Sequence, residues 1–262
     1  MVLYNIFMYL IFCLFGFYTG NAINMLNNNL SYILNDDSTT SQKDHSSYFL
    51  YLISSLLHSP FSAHPLVLRR IFMWPKRIPL TTIAIQVFLI EILCGIVFML
   101  CFYYANNLSQ ALYFSVFLSI LISLILLDIT HYLLPDFITF PLLWLGLVGN
   151  STSLQFIPLE DSLWGVIYGY SSLWFANYIY FLIRRKDGMG YGDFKLNAAL
   201  GAWVGINGIQ FIITISPLIG LFMWFTLKKK NVEYIPFGPA IIFSGIIYMF
   251  INNPVYGITP TF

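Results

Sequence analysis

This chain is predicted to be an all-α polytopic membrane protein, a helical bundle of about eight transmembrane helices with its N-terminus and C-terminus extracytoplasmic. Three observations predict it. The 262 residues are 58% hydrophobic, 19% aromatic and only 9% charged, against about 25% charged in soluble domains. Apolar runs of about 20 residues, long enough to cross a bilayer as helices, recur along the chain. The twelve Lys and Arg residues gather in a few connections, as the preference of basic loops for the cytoplasm requires.

The spans are expected near 2–22, 79–104, 109–130, 137–157, 161–183, 194–206, 208–227 and 234–252. The first lacks a basic leader and a small-residue cleavage site, with Asn21 and Asn24 where such a site would fall, so it is read as a retained span and not a removed signal. The connection to the second span is long. Its segment Asn27 to Ser47 is polar and expected to be flexible. Tyr48 to Leu57 is apolar but too short to cross, so it is expected on the membrane surface or beneath the bundle. The sixth span is short and contains glycine.

Orientation follows from the basic residues. Lys43, Arg69, Arg70, Lys76 and Arg77 precede the second span. Arg184, Arg185, Lys186 and Lys195 lie between the fifth and sixth, and Lys228, Lys229 and Lys230 follow the seventh. Eight spans with an outside N-terminus place all twelve on one face. The same count places Asp128, closing the third span, and Asp193, opening the sixth, at the cytoplasmic edge.

A net charge of +1 offers no surface for nucleic acid, and the basic residues are explained by topology. Cys13, Cys94 and Cys101 are scattered through apolar spans, so no disulfide framework and no zinc site is indicated. The expected partner of most of the surface is the lipid bilayer.

Acids in apolar spans are costly and mark candidate chemistry. Asp128 ends a run from Leu118 interrupted only by Ser119 and Ser123, and Asp193 follows Gly190-Tyr191-Gly192, where glycine permits a sharp turn and close approach of a ligand. Asp136 directly follows Pro135 and is expected to cap the fourth span. Glu91 lies mid-span; its position leaves a structural hydrogen bond and a role in the site equally open. Two convergent carboxylates sharing a proton can activate water and protonate a carbonyl, which is aspartic-protease chemistry. Helix ends favour Asp193 as base and Asp128 as acid. The rival reading is a proton- or cation-coupled membrane transporter.

At these residues the chain resembles the prepilin peptidases, polytopic GxGD-type aspartyl proteases of type IV pilus and type II secretion systems. The resemblance runs through Asp128, Leu134-Pro135-Asp136, Thr139, Pro141 to Trp144, Gly146-Leu147 and Asn150. It continues through Gly188-Met189-Gly190-Tyr191-Gly192-Asp193-Phe194-Lys195-Leu196 and Ala198 to Trp203, with weaker echoes at Gly20, Asn24, Ile78-Pro79-Leu80, Glu91 and Ile235 to Pro239. It implies Asp128 and Asp193 as catalytic, with Gly190, Gly192, Pro135, Asp136 and Lys195 supporting them. Its implied substrates are prepilins or pseudopilins, cut after a glycine between a short basic leader and an apolar helix. Its implied partners are the pilus or secretion machinery of a bacterial inner membrane.

The resemblance divides the chain into residues 1–78, a first helix with a cytoplasmic loop of methyltransferase type, and residues 79–262, a membrane-embedded peptidase domain. Many members methylate the new amine with S-adenosylmethionine and bind zinc through four loop cysteines. The loop here has no cysteine, so zinc is not expected, while methylation stays open. Proteolysis itself needs no cofactor.

Overall fold

The computed structural model describes residues 2–36, 80–105, 107–152, 157–227 and 236–252. Among these there are seven helices and no strand: α1 (Val2–Asp36), α2 (Leu80–Tyr104), α3 (Leu108–His131), α4 (Asp136–Ser151), α5 (Leu159–Arg184), α6 (Tyr191–Leu227) and α7 (Gly238–Asn252). Three stretches are long and apolar enough to cross a membrane, Phe7–Asn24, Leu108–His131 and Tyr191–Thr226, and Phe88–Tyr104 and Gly238–Asn252 are shorter apolar helices. Many large side chains point outward, Ile183, Phe222 and Phe250 among them, each at least 70% exposed. In water such surfaces would be costly, whereas lipid accepts them.

The chain divides into two compact units, Met1–Ser123 and Leu124–Phe262. In the first, α1 packs along α2. Phe12, Phe98 and Ala111 form a buried cluster there. In α3, Ser115, Ser119 and Ser123 each donate to the carbonyl four residues earlier, at 2.7, 2.7 and 2.9 Å. That back-bonding satisfies hydroxyls which an apolar span could not leave bare. The expected flexible run after Asn27 is corrected here: α1 continues to Asp36. Extending an existing helix avoids the nucleation cost that a separate polar segment would meet. The remainder of the loop, with Tyr48 to Leu57 and most of what residues 1–78 were expected to hold of a methyltransferase type, lies outside the described residues.

In the second unit α5 and α6 pack closely, and α6 also meets α4 and α7. Gly165 and Gly201 face each other so tightly that a Cβ on either would strike the other's backbone carbonyl. Trp203 Nε1 donates to the Leu142 carbonyl at 2.9 Å, fixing α4 on α6.

The expected sixth and seventh spans form one element, α6, that leaves helical geometry at Gly205 (φ 70, ψ −172). Unbroken, its 37 residues would reach about 55 Å, well beyond a bilayer core of about 30 Å. The left-handed φ suits glycine. The Ala202 carbonyl, just before the break, accepts from Ser162 Oγ at 2.6 Å and Asn150 Nδ2 at 2.9 Å. Asn150 Oδ1 in turn accepts the Ile157 N–H at 3.3 Å. Two side chains from neighbouring helices thereby satisfy polar backbone at the break.

Candidate active site

Asp128 stands one turn before the end of α3. The helix stops because Tyr132 takes a left-handed conformation (φ 56), uncommon for a residue with a Cβ, while its N–H still reaches the Asp128 carbonyl at 2.9 Å. Leu133, Leu134 and Pro135 then turn the chain into α4. Asp136 does not cap α4 as expected. Pro135 is the N-cap residue, without a side-chain capping bond, and Asp136 falls in the first helical turn. Its carboxylate is taken instead by Lys195, whose Nζ lies 2.6 and 2.8 Å from the two oxygens and also sits 5.7 Å from the Phe140 ring centre.

Asp193 lies in the first turn of α6, its N–H reaching the Gly190 carbonyl at 3.2 Å. Its carboxylate and that of Asp128 are close enough to interact electrostatically. Both side chains belong to the second unit and are buried, 5% exposed for Asp128 and 9% for Asp193, despite standing at helix ends.

A residue from a third segment completes the arrangement. Gly238 N–H donates to Asp128 Oδ2 at 2.8 Å, at the start of α7. The first N–H groups of a helix have no intrahelical partner; here Asp128 takes one, Pro239 has none, and Ala240 and Ile241 both reach the Phe237 carbonyl. The helix-end argument that made Asp128 the acid therefore loses its force. Asp128 closes α3, but it also sits at the positive end of α7.

Of the residues expected to support the pair, Asp136 and Lys195 meet each other and Gly192 lies against Leu134. Neither Gly190 nor Gly192 has a positive φ. Gly192 matters for space, since a Cβ there would lie 2.9 Å from the Leu134 Cβ, whereas one on Gly190 would meet nothing closer than 3.8 Å. Gly192→Ala is therefore expected to reduce activity about ten times more than Gly190→Ala, a comparison that initial rates of the two purified variants decide.

The Lys195 and Asp136 side chains are partly exposed, 29% and 53%. A pair so placed contributes at most about 1 kcal/mol. Asp136→Asn is expected to destabilise the fold by no more than that, as thermal melting in detergent will measure.

Glu91 belongs to the first unit, on α2, where a Cβ at Gly20 would lie 2.7 Å from the Glu91 Cα. That contact joins two positions of the family resemblance, Gly20 and Glu91. Among the described residues no group of three or more His, Cys, Asp or Glu is arranged to hold a metal ion. Sequence reasoning passed over Ser162 and the partnership of Gly238 with Asp128. Only Gly238 carried a signal, the glycine between Phe237 and Pro239 at the head of an apolar span.

Comparison with known proteins adds an independent line. Residues 115–225 match the model of the type IV leader peptidase family. A prepilin leader peptidase/N-methyltransferase of Legionella pneumophila is 30% identical over 272 residues, 96% of this chain and 94% of that protein. Proteins of the same name from Neisseria gonorrhoeae and Pseudomonas aeruginosa are 40% identical over 176 residues and 44% over 131. The matched part is 67% of this chain and 61% of the Neisseria protein, and 48% of this chain and 45% of the Pseudomonas protein. No solved structure matches the chain. Nothing in these relatives supports the transporter reading.

Proposed function

The chain belongs to the type IV leader peptidase family, and from that premise we propose that it is a membrane aspartic endopeptidase that cleaves the basic leader of prepilins or pseudopilins. Asp128 and Asp193 are the catalytic pair. The observation that carries this reading is two buried carboxylates, from two different helices of one unit, within reach of each other's charge.

The chemistry follows from a proton shared by the pair. One carboxylate takes a proton from water as the oxygen attacks the scissile carbonyl, and the other delivers a proton to the carbonyl oxygen. Collapse of the resulting gem-diol breaks the C–N bond, and the leaving amine takes up a proton. Acid and base are properties of the pair, since each carboxylate sits near a helix N-terminus. Burial excludes bulk water from the centre, and Gly238 fixes one Asp128 oxygen while the other stays available.

The peptidase works in the bacterial inner membrane, with eight spans and both termini extracytoplasmic. The break at Gly205 supports counting α6 twice, and the charge asymmetry supports a cytoplasmic site. A substrate whose apolar helix lies in the bilayer would present its leader junction at that edge, and the pilus or secretion machinery would receive the product. The relatives' names include N-methyltransferase, so transfer of a methyl group from S-adenosylmethionine to the new amine is the second activity proposed.

Purified protein in detergent is tested on a prepilin-type substrate, with the cut bond located by mass spectrometry and methyl transfer followed with labelled S-adenosylmethionine. A cut between the leader glycine and the apolar helix is expected. A well-folded protein that leaves the substrate intact would overturn the proposal.

A further inference from the structure

The loop between α5 and α6 does not simply leave the helix end. Arg185 ends α5 in a left-handed conformation, and the chain then folds back along the helix it has just left. Asn177, about two turns before that end, receives it. Asn177 Oδ1 accepts the N–H of Gly188 at 2.8 Å and of Met189 at 3.2 Å, and its Nδ2 lies 3.4 Å from Asp187 Oδ1. Beside the clamp, Gly188 lies against the Tyr180 ring, where a Cβ would come within 2.8 Å. Two residues further on, the Gly190 carbonyl accepts the Asp193 N–H. A neutral amide on a helix otherwise rich in apolar residues thus satisfies consecutive backbone donors of the loop that delivers Asp193.

We propose that Asn177 is a positioning residue, whose side chain clamps residues 187–189 and thereby sets Asp193 against Asp128. The inference rests on the peptidase reading and deepens it. An amide suits the task because it presents an acceptor to two N–H groups and a donor to a carboxylate at once. Without it, the loop would exchange these bonds for water and sample other geometries. Displacement of a reacting group by about 1 Å is enough to cost about 100-fold in rate.

The test measures leader cleavage and hydrogen exchange of residues 186–192 in purified protein. Asn177→Ala is expected to speed exchange in that loop and to lower kcat by about 10- to 100-fold, with KM changed less than about two-fold because the substitution removes hydrogen bonds of the loop and no charge. Asn177→Asp combined with Asp187→Asn exchanges donor and acceptor across the clamp, and is expected to recover most of the lost kcat. Faster exchange with an unchanged kcat, or a proportional loss in both kcat and binding, would overturn the positioning role. So would unchanged exchange, or failure of the swapped pair to rescue. A wild type that cleaves nothing would sink the peptidase reading, and the positioning role with it, while the exchange arm would still report whether the clamp exists.

Discussion

Asparagine in place of either Asp128 or Asp193 is expected to lower leader cleavage by about 1,000-fold or more, the scale on which acid–base groups contribute. The substitution is chosen for what it preserves. The amide of Asp128→Asn keeps an oxygen that can accept the Gly238 N–H, so α7 stays capped and the melting temperature should hardly move. Alanine at the same place would leave that donor buried and bare, and would confuse unfolding with loss of chemistry. Cleavage of a prepilin-type substrate by purified variants, read beside their melting curves, decides the matter. Turnover within about ten-fold of wild type in either variant would sink the pair.

Gly238→Ala is expected to cost about 100-fold in turnover although glycine takes no part in the reaction. A Cβ there would lie 2.7 Å from Asp128 Oδ2 and 3.1 Å from its Cγ. Both neighbours are buried, so either the carboxylate swings away from the N–H or the start of α7 shifts. Gly245→Ala, on the same helix, is the control, because its Cβ would meet only the ends of Ile212 and Leu200 at 3.4 Å. Equal rates in the two variants would show that the Gly238 contact is dispensable.

The all-helical, apolar character of the chain and the isolation of Asp128 and Asp193 within it were legible in the sequence for one physical reason: a bilayer makes both apolar length and stray charge conspicuous. Asp128 and Asp193 could be singled out without any knowledge of tertiary structure. The role of Asp136 could not. Its neighbours in sequence suggested a cap, whereas its carboxylate pairs with Lys195, 59 residues away, and nothing local announces such a partner. Asn177 was invisible for a different reason. A neutral amide carries no signature of chemistry, and its worth depends on a loop that folds back over it. The end of α1 was misjudged because composition reports what a segment would do alone, not what it does as the continuation of an apolar helix.

The break at Gly205 divides α6 into two stretches of regular helix. Only the first carries Asp193, over about 18 Å at 1.5 Å per residue, and its far end is anchored by Ser162 and Asn150 through the Ala202 carbonyl. This half-helix therefore behaves as a ruler with a fixed zero. One residue inserted between Asp193 and Ala202 would turn the carboxylate by about 100° around the helix axis and lift it by one step. The same insertion beyond the break would leave the angular phase of Asp193 relative to that anchor untouched.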